Sequence, residues 1–294
     1  MRLLVPVDFS DITNPLLRTV KGFVDKIPLE IFLLHVIPPI VYLPYPETMG
    51  ISVIDIEMLE KIEGEKKEEA IEKLKGLQEF LKPHKTKIFV EIGDPADTIL
   101  EYEDRLKPDF VFLGGHKKGL VEKILIGSTT EKVVKYGKRN DFVVKGREVN
   151  FNKKVVIAYD FSQTCQKALE FAIDFLKNFK VKVDILHVDE PIGVPLIEKL
   201  KVKVHERFAE EKKKILSDLK KKFEEKEIET NIVYLEGKNP VEVITDYVNN
   251  NEDVELLIIG SKGLSGLKRL ILGNTATKLI SKIKKPILIY KVVE

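Results

Sequence analysis

Apolar and polar positions alternate along this chain in two rhythms. Short apolar runs such as VVIAY (155–159) and VELLIIG (254–260) have strand length, and VKVDILHV (181–188) is read as a further strand. Runs that are apolar on both faces predict a parallel sheet covered by helices. Between them, apolar residues recur at intervals of three and four. Cys165, Ala168, Leu169, Ala172, Ile173 and Leu176 fall on one helix face, with Ser162 placed to cap it. A long helix is predicted from about Leu196 to Lys226, with Ile215, Leu216, Leu219 and Phe223 inward. IETNIVYLE is a further strand, and Pro240 sits where a helix tolerates proline best, in the first turn of PVEVITDYVNN. After VELLIIG, the segment TATKLISKI places Ala276, Leu279, Ile280 and Ile283 on one face, and PILIYKVV closes as a fifth strand. Strict alternation of strand and helix predicts a doubly wound α/β domain.

That pattern is written twice. RLLVPVDFSD at 2–11 matches KVVIAYDFSQ at 154–163, and FLLHV at 32–36 matches DILHV at 184–188, both at an offset of 152. Pro95 in VEIGDPADTI aligns with Pro240 at an offset of 145. FVFLGG at 110–115 with LLIIGS at 256–261, and ILIGSTTEKV at 124–133 with LILGNTATKL at 270–279, lie at 146. The offset falls once, so copy one carries about seven extra residues, assigned to the Pro-rich PPIVYLPYPETMG. A period this long marks domains rather than solenoid repeats. The expected domains are 1–147 and 152–294, divided in the polar stretch KGREVNFNKK.

Composition narrows the partners. Among 294 residues, 49 basic side chains face 47 acidic ones, so net charge argues for no nucleic-acid partner. A single cysteine, Cys165, rules out an internal disulfide and fits a reducing cytoplasm. No apolar run approaches the roughly 20 residues that span a bilayer, and the expectation is a cytoplasmic protein without membrane partners. The charged runs read as solvated helix faces, with Glu69–Lys73 and Glu210–Lys214 spaced i,i+4.

The stretch GSKGLSGLKRLILGNT, residues 260–275, concentrates four of the seventeen glycines at a strand-to-helix connection. Gly260 and Gly263 can take positive φ and leave room for a ligand. Gly273, Asn274 and Thr275 open a helix whose first amides have no internal partner and whose dipole favours an anion. The loop is neither a Walker loop nor GxGxxG. His35 and His187 occupy matched strand ends and read as satisfied structural histidines, not metal ligands. Asp8 and Asp160 lack a second catalytic partner, and Cys165 reads as an inert packed thiol.

Gly260-x-x-Gly263, nine residues, then Gly273-Asn274 resembles the ATP-binding subgroup of the universal stress protein family. Asp8-Phe9-Ser10 and Asp160-Phe161-Ser162 after the first strands, LHV ending the second, and Gly-x-Pro-like turns after the third extend that likeness over nearly the whole chain. The resemblance implies two tandem flavodoxin-like, Rossmann-like domains, each a five-stranded, mainly parallel sheet in the order 3-2-1-4-5. It implies that Asp160 and Val188 meet an adenine base, and that Gly260, Gly263, Gly273, Asn274 and Thr275 meet ribose and phosphates of ATP or AMP, with or without Mg2+. The matching set in copy one is Asp8, Val36, Gly114, Lys117, Gly127, Ser128 and Thr129. Lys117 stands where the motif has its second glycine: its Cβ costs about 1 kcal/mol or more at positive φ, yet its ammonium can also serve a triphosphate. The family further implies pairing through the last strand, hence an intramolecular pseudo-dimer, with homodimerisation and an unidentified protein partner as further expectations. The expected role is a nucleotide-binding stress or regulatory protein with at most slow hydrolysis. The alternatives are a nucleotide-free dimerisation and interaction module, and an enzyme of the wider nucleotide-binding α/β group.

Overall fold

The computed structural model describes residues 1–39, 56–115, 126–190, 198–262 and 272–291, with side chains from 58 and 210 onward in the two long helices. Lys117, Gly263, Gly266 and the two tyrosines of the Pro-rich tract lie outside the described residues. Copy one runs β1 (Arg2–Pro6), α1 (Thr13–Val24), β2 (Glu30–Ile37), α2 (Ile56–Phe80), β3 (Thr86–Ile92), α3 (Pro95–Leu106), β4 (Phe110–Gly115), α4 (Ser128–Tyr136) and β5 (Asn140–Lys145). Copy two repeats it as β6 (Lys154–Ala158), α5 (Gln163–Leu176), β7 (Lys182–Asp189), α6 (Glu198–Glu224), β8 (Thr230–Glu236), α7 (Pro240–Asn250), β9 (Val254–Gly260), α8 (Asn274–Lys282) and β10 (Ile287–Tyr290).

All ten strands form one sheet in the order β3-β2-β1-β4-β5-β10-β9-β6-β7-β8. Each half has the expected 3-2-1-4-5 order, with every pairing inside a half parallel. The apolar runs follow position in the sheet. Six of the seven residues of central β9 are buried, whereas the edge strands β3 and β8 are mostly half-buried and carry Lys87, Glu91 and Glu236. Charge on an edge discourages pairing with a further strand. On α6, Leu216, Leu219 and Phe223 are buried as expected, but Ile215 is 44% exposed. It lies one residue off the row 216–219–223, about 100° around the helix, and faces solvent.

The halves meet where β5 and β10 pair antiparallel, with Leu288 opposite Phe142 and Ile289 opposite Asp141. The stretch between the copies is no free linker. Val149 and Phe151 are 1% and 3% exposed. Phe151 adopts φ 52 and its ring lies 4.4 Å from Phe179 and 6.0 Å from Phe23 and Phe175, joining the aromatic cores of both copies. The buried Glu255 carboxylate accepts the N–H groups of Asn150, Asn152 and Lys153 at 3.2, 2.8 and 3.0 Å. Reading the stretch as polar missed two apolar anchors set among charged neighbours.

Two buried lysines cross this seam. Lys145, at the end of β5, donates to the carbonyls of Ile280 and Ile283 at the end of α8, the latter at 2.8 Å. Lys291, just after β10, donates to Gly137 O at the end of α4 at 2.8 Å and lies 2.5 Å from Asp141 Oδ2. Burial raises the Asp141 carboxyl, and the Lys291 ammonium opposes that shift. Burial pushes the Lys145 ammonium down to about 7.

Glycine at the ends of β4 and β9 answers first to packing. A Cβ on Gly114 would come within 2.7 Å of Ile12 Cγ2, and one on Gly260 would sit 3.2 Å from Cys165 Sγ and Thr164 Cγ2. Neither uses positive φ, which Gly146 alone among the described glycines does. The expected conformational reason for Gly260 is therefore replaced by a steric one: the chain entering α1 or α5 closes directly onto the strand end.

Two outcomes follow from these contacts. Gly114→Ala, which must displace a branched side chain at its root, should destabilise the protein by about 1–3 kcal/mol in urea unfolding, and Gly260→Ala by less. Folded Lys145 loses its proton near pH 7 and the unfolded lysine near 10.5, so the unfolded chain holds the extra proton between them and stability rises with pH across that window. The contribution is at most about 1.4 kcal/mol per pH unit, and it should vanish from the urea-unfolding pH profile of Lys145→Met.

Candidate functional site

The strand order reverses beside β1 in one half and beside β6 in the other. An open α/β sheet has its crevice there, beyond the carboxyl ends of the strands. In copy two, Ile157 of β6 pairs with Ile258 of β9, and Ala158 with Leu186 of β7. Asp160, Gly260 and Val188 therefore end three adjacent strands at one level. In copy one the pairs Pro6–Leu34 and Leu4–Val111 bring Asp8, Val36 and Gly114 together in the same way.

The first strand ends in a strained turn in both copies. Phe9 and Phe161 adopt φ 59 and φ 63, a conformation costing a non-glycine residue roughly 1–2 kcal/mol. The turn is closed by the aspartate. Asp160 Oδ1 accepts the Ser162 N–H at 2.9 Å, and Asp8 Oδ1 accepts the Ser10 N–H at 3.1 Å and its hydroxyl at 2.6 Å. Ser162 then caps α5 as expected, its Oγ accepting the Cys165 N–H at 3.2 Å. In copy one α1 begins later, and Ile12 occupies the cap position without a side-chain bond. Cys165 is buried, its thiol pushed up to about 12 chiefly by burial, in keeping with an inert thiol.

The strained phenylalanines rest on the histidines of the second strand. The Phe9 and His35 rings are 4.4 Å apart, those of Phe161 and His187 4.7 Å. His35 Nδ1 lies 2.8 Å from Val7 O and His187 Nδ1 lies 2.9 Å from Tyr159 O. A carbonyl only accepts, so Nδ1 carries the proton in both rings. Burial lowers the His187 pKa, which favours the neutral ring with a bare Nε2, and that atom is buried without a hydrogen-bond partner among the described residues.

This histidine contact alters the ladder at the crevice. Tyr159 N–H donates to Leu186 O at 2.9 Å, so even-numbered residues of β7 point their backbone groups toward β6. The next rung would join Val188 N–H to Tyr159 O, but the imidazole takes that carbonyl. Val188 thus presents both a donor and an acceptor toward Asp160. Val7 N–H, bonded to Leu34 O at 2.9 Å, sets up the same arrangement for Val36. Sequence reasoning chose the valines and aspartates, and treated the histidines as bystanders and Phe9 and Phe161 not at all. The signal was present in the twice-written DFS and LHV.

The other wall is the start of the last helix. Gly273 caps α8 at φ −66 and ψ 152, and Gly127 caps α4 at φ −66 and ψ 154, neither with a side-chain cap bond. Asn274 and Ser128 are accordingly the first helical residues, not the caps. Thr277 N–H and Glu131 N–H make the first internal bonds, back to Gly273 O and Gly127 O. No described residue accepts from the N–H groups of Asn274, Thr275 and Ala276, or of Ser128, Thr129 and Thr130. Gly273 N–H donates to Ser261 O at 2.8 Å, which ties the two ends of the glycine-rich connection together. The first turn of α8 holds no acidic residue, whereas that of α4 holds Glu131. An anion is therefore favoured more at α8. No cluster of metal-ligating side chains occurs among the described residues.

Residues 1–145 and again 152–291 match the Universal stress protein family. The chain is 32% identical over 150 residues to Universal stress protein YxiE of Bacillus subtilis, spanning 48% of this chain and 99% of that one. It is 29% identical over 153 residues to Universal stress protein MJ0577 of Methanocaldococcus jannaschii, spanning 49% of this chain and 94% of that one. A solved universal stress protein from Archaeoglobus fulgidus shares the fold over both copies, with TM-score 0.67 at 22% identity across 99% of this chain and 98% of that one. With both halves matched and the tandem fold shared end to end, the chain belongs to the universal stress protein family and carries its domain twice.

Proposed function

We propose that this protein binds an adenine nucleotide in copy two and acts as a cytoplasmic stress-response or regulatory protein. The observation that carries the reading is the open first turn of α8, with three amides at the switch point that no described residue accepts from, and the ends of its preceding connection pinned together. Phosphates seat on those amides, and any Mg2+ is held by the phosphates rather than by a protein cluster. Asp160 and the backbone N–H and C=O of Val188 suit the base, since adenine's polar edge offers an acceptor beside a donor. The role is holding rather than turnover, because the sequence has no Walker-type lysine for phosphate activation. No helix among the described residues is long and apolar enough to cross a membrane.

Copy one supports a second reading for its own half. Glu131 sits in the first turn of α4, and Thr130 Oγ–H is tied to Gly114 O at 2.9 Å. Together with Lys117 in the motif, these features favour a scaffold or interaction half over a second equal site.

Calorimetric titration of nucleotide-stripped protein with Mg-ATP should give close to one site per chain; two equal sites would place copy one on the same footing. Gly273→Val fits the allowed backbone angles of that residue, so its melting temperature should stay within a few degrees. Its Cβ crowds the amides, and its Kd should rise at least about tenfold, or 1.4 kcal/mol. Unchanged affinity in this variant would remove the phosphates from α8.

A further inference from the structure

The two seam lysines reach helices that belong to the opposite copy. Lys145 leaves β5 of copy one and ends on Ile280 O and Ile283 O of α8. Lys291 follows β10 of copy two and ends on Gly137 O, past the end of α4. The two positions differ by 146, the offset that relates the last elements of the copies. The exchange is reciprocal, as a two-fold interface requires. The helices reached are the same two whose N-termini face the crevices.

These helices are short. Nine residues of α8 span roughly 13 Å, and both ends of α8 are held from outside it. Its last-turn carbonyls have no partners inside the helix, and Lys145 supplies two of them. The lysine side chain is fully buried, so no water can replace those donors without opening the seam. The reciprocal contact is weaker in this respect, because Lys291 divides itself between Gly137 O and Asp141. At the position matching Asp141 copy two has Ile287, which leaves Lys145 committed to α8 alone.

We infer that Lys145 is a positioning residue for the nucleotide site of the opposite copy, fixing the axial and lateral placement of α8 and hence of its first-turn amides. This rests on the nucleotide reading given above. The site in copy two is then completed by a residue of copy one, and the fusion of two domains in one chain has a direct consequence for ligand affinity. Loss of the lysine donors lets the helix settle differently against β5, and a sub-ångström displacement is enough to misalign three amides on one phosphate.

The test is Mg-ATP titration of the full chain, wild type against Lys145→Met, with Phe142→Leu as a seam variant that thins the stack on Phe112 without touching α8. Lys145→Met should weaken binding at least fivefold, while Phe142→Leu, at a comparable fall in melting temperature, stays within twofold of wild type. Lys291→Met should leave the copy-two affinity within twofold. Where Lys145→Met does not fold, Lys145→Gln, uncharged and too short to reach both carbonyls, carries the same expectation. Wild-type affinity in the folded Lys145 variant, or equal weakening by Phe142→Leu, overturns the inference while leaving the nucleotide reading intact. A wild-type protein that binds no Mg-ATP overturns the reading itself, and the inference with it.

Discussion

The antiparallel pairing of β5 with β10 is the constraint on which the rest of this molecule depends. It turns two five-stranded sheets into one of ten, and it leaves no exposed edge at the middle. An open strand edge with this much apolar surface is an aggregation hazard. The pairing also places Asp141, Lys145 and Lys291 where water does not reach. Buried charges of this sort are costly unless partnered, and here the partners are helix-end carbonyls and one another. The seam is therefore both the hydrophobic centre of the protein and its most exacting polar arrangement.

From the seam outward the consequences are ordered. Phe151, held at positive φ, plugs the aromatic cluster between copies, and Glu255 gathers three amides of the connecting stretch. These contacts hold β6 in line with β9. That alignment brings Asp160, Val188 and Gly260 to one level. The strained Phe161 and the neutral His187 then divert one carbonyl from the ladder and leave Val188 with an open donor and acceptor. The crevice chemistry is mostly backbone chemistry, so it depends on the fold more than on any reactive side chain.

Much of the fold was legible because inner strands such as β6 and β9 are near-continuous apolar runs and the helices repeat at three and four. Ile215 shows the limit of that reading: apolar character alone does not fix which side of a row a residue takes. The seam was harder to see. Nothing in KGREVNFNKK separates Val149 and Phe151 from a polar loop until the facing rings of Phe23, Phe175 and Phe179 are known. Nothing in the sequence separates Lys145 and Lys291 from surface lysines at strand ends, since burial of a lysine is set by a distant element. At the site, the positions of Asp160, Val188, Gly273 and Asn274 followed from the motif, but the reasons differ. Gly260 is required by the helix packed against it, and Gly273 is the cap that leaves α8 open. Lys117 and Gly263 fall outside the described residues.

Hydrogen exchange of the full chain with and without Mg-ATP tests the central claim most directly, because it reports on backbone amides one short segment at a time. The account predicts new protection confined to the start of α8, residues 273–277, and to the ends of β6 and β7, with the matching segments of copy one little changed. Protection centred on 127–131 of copy one instead, or saturating binding with no protection at 273–277, would contradict it.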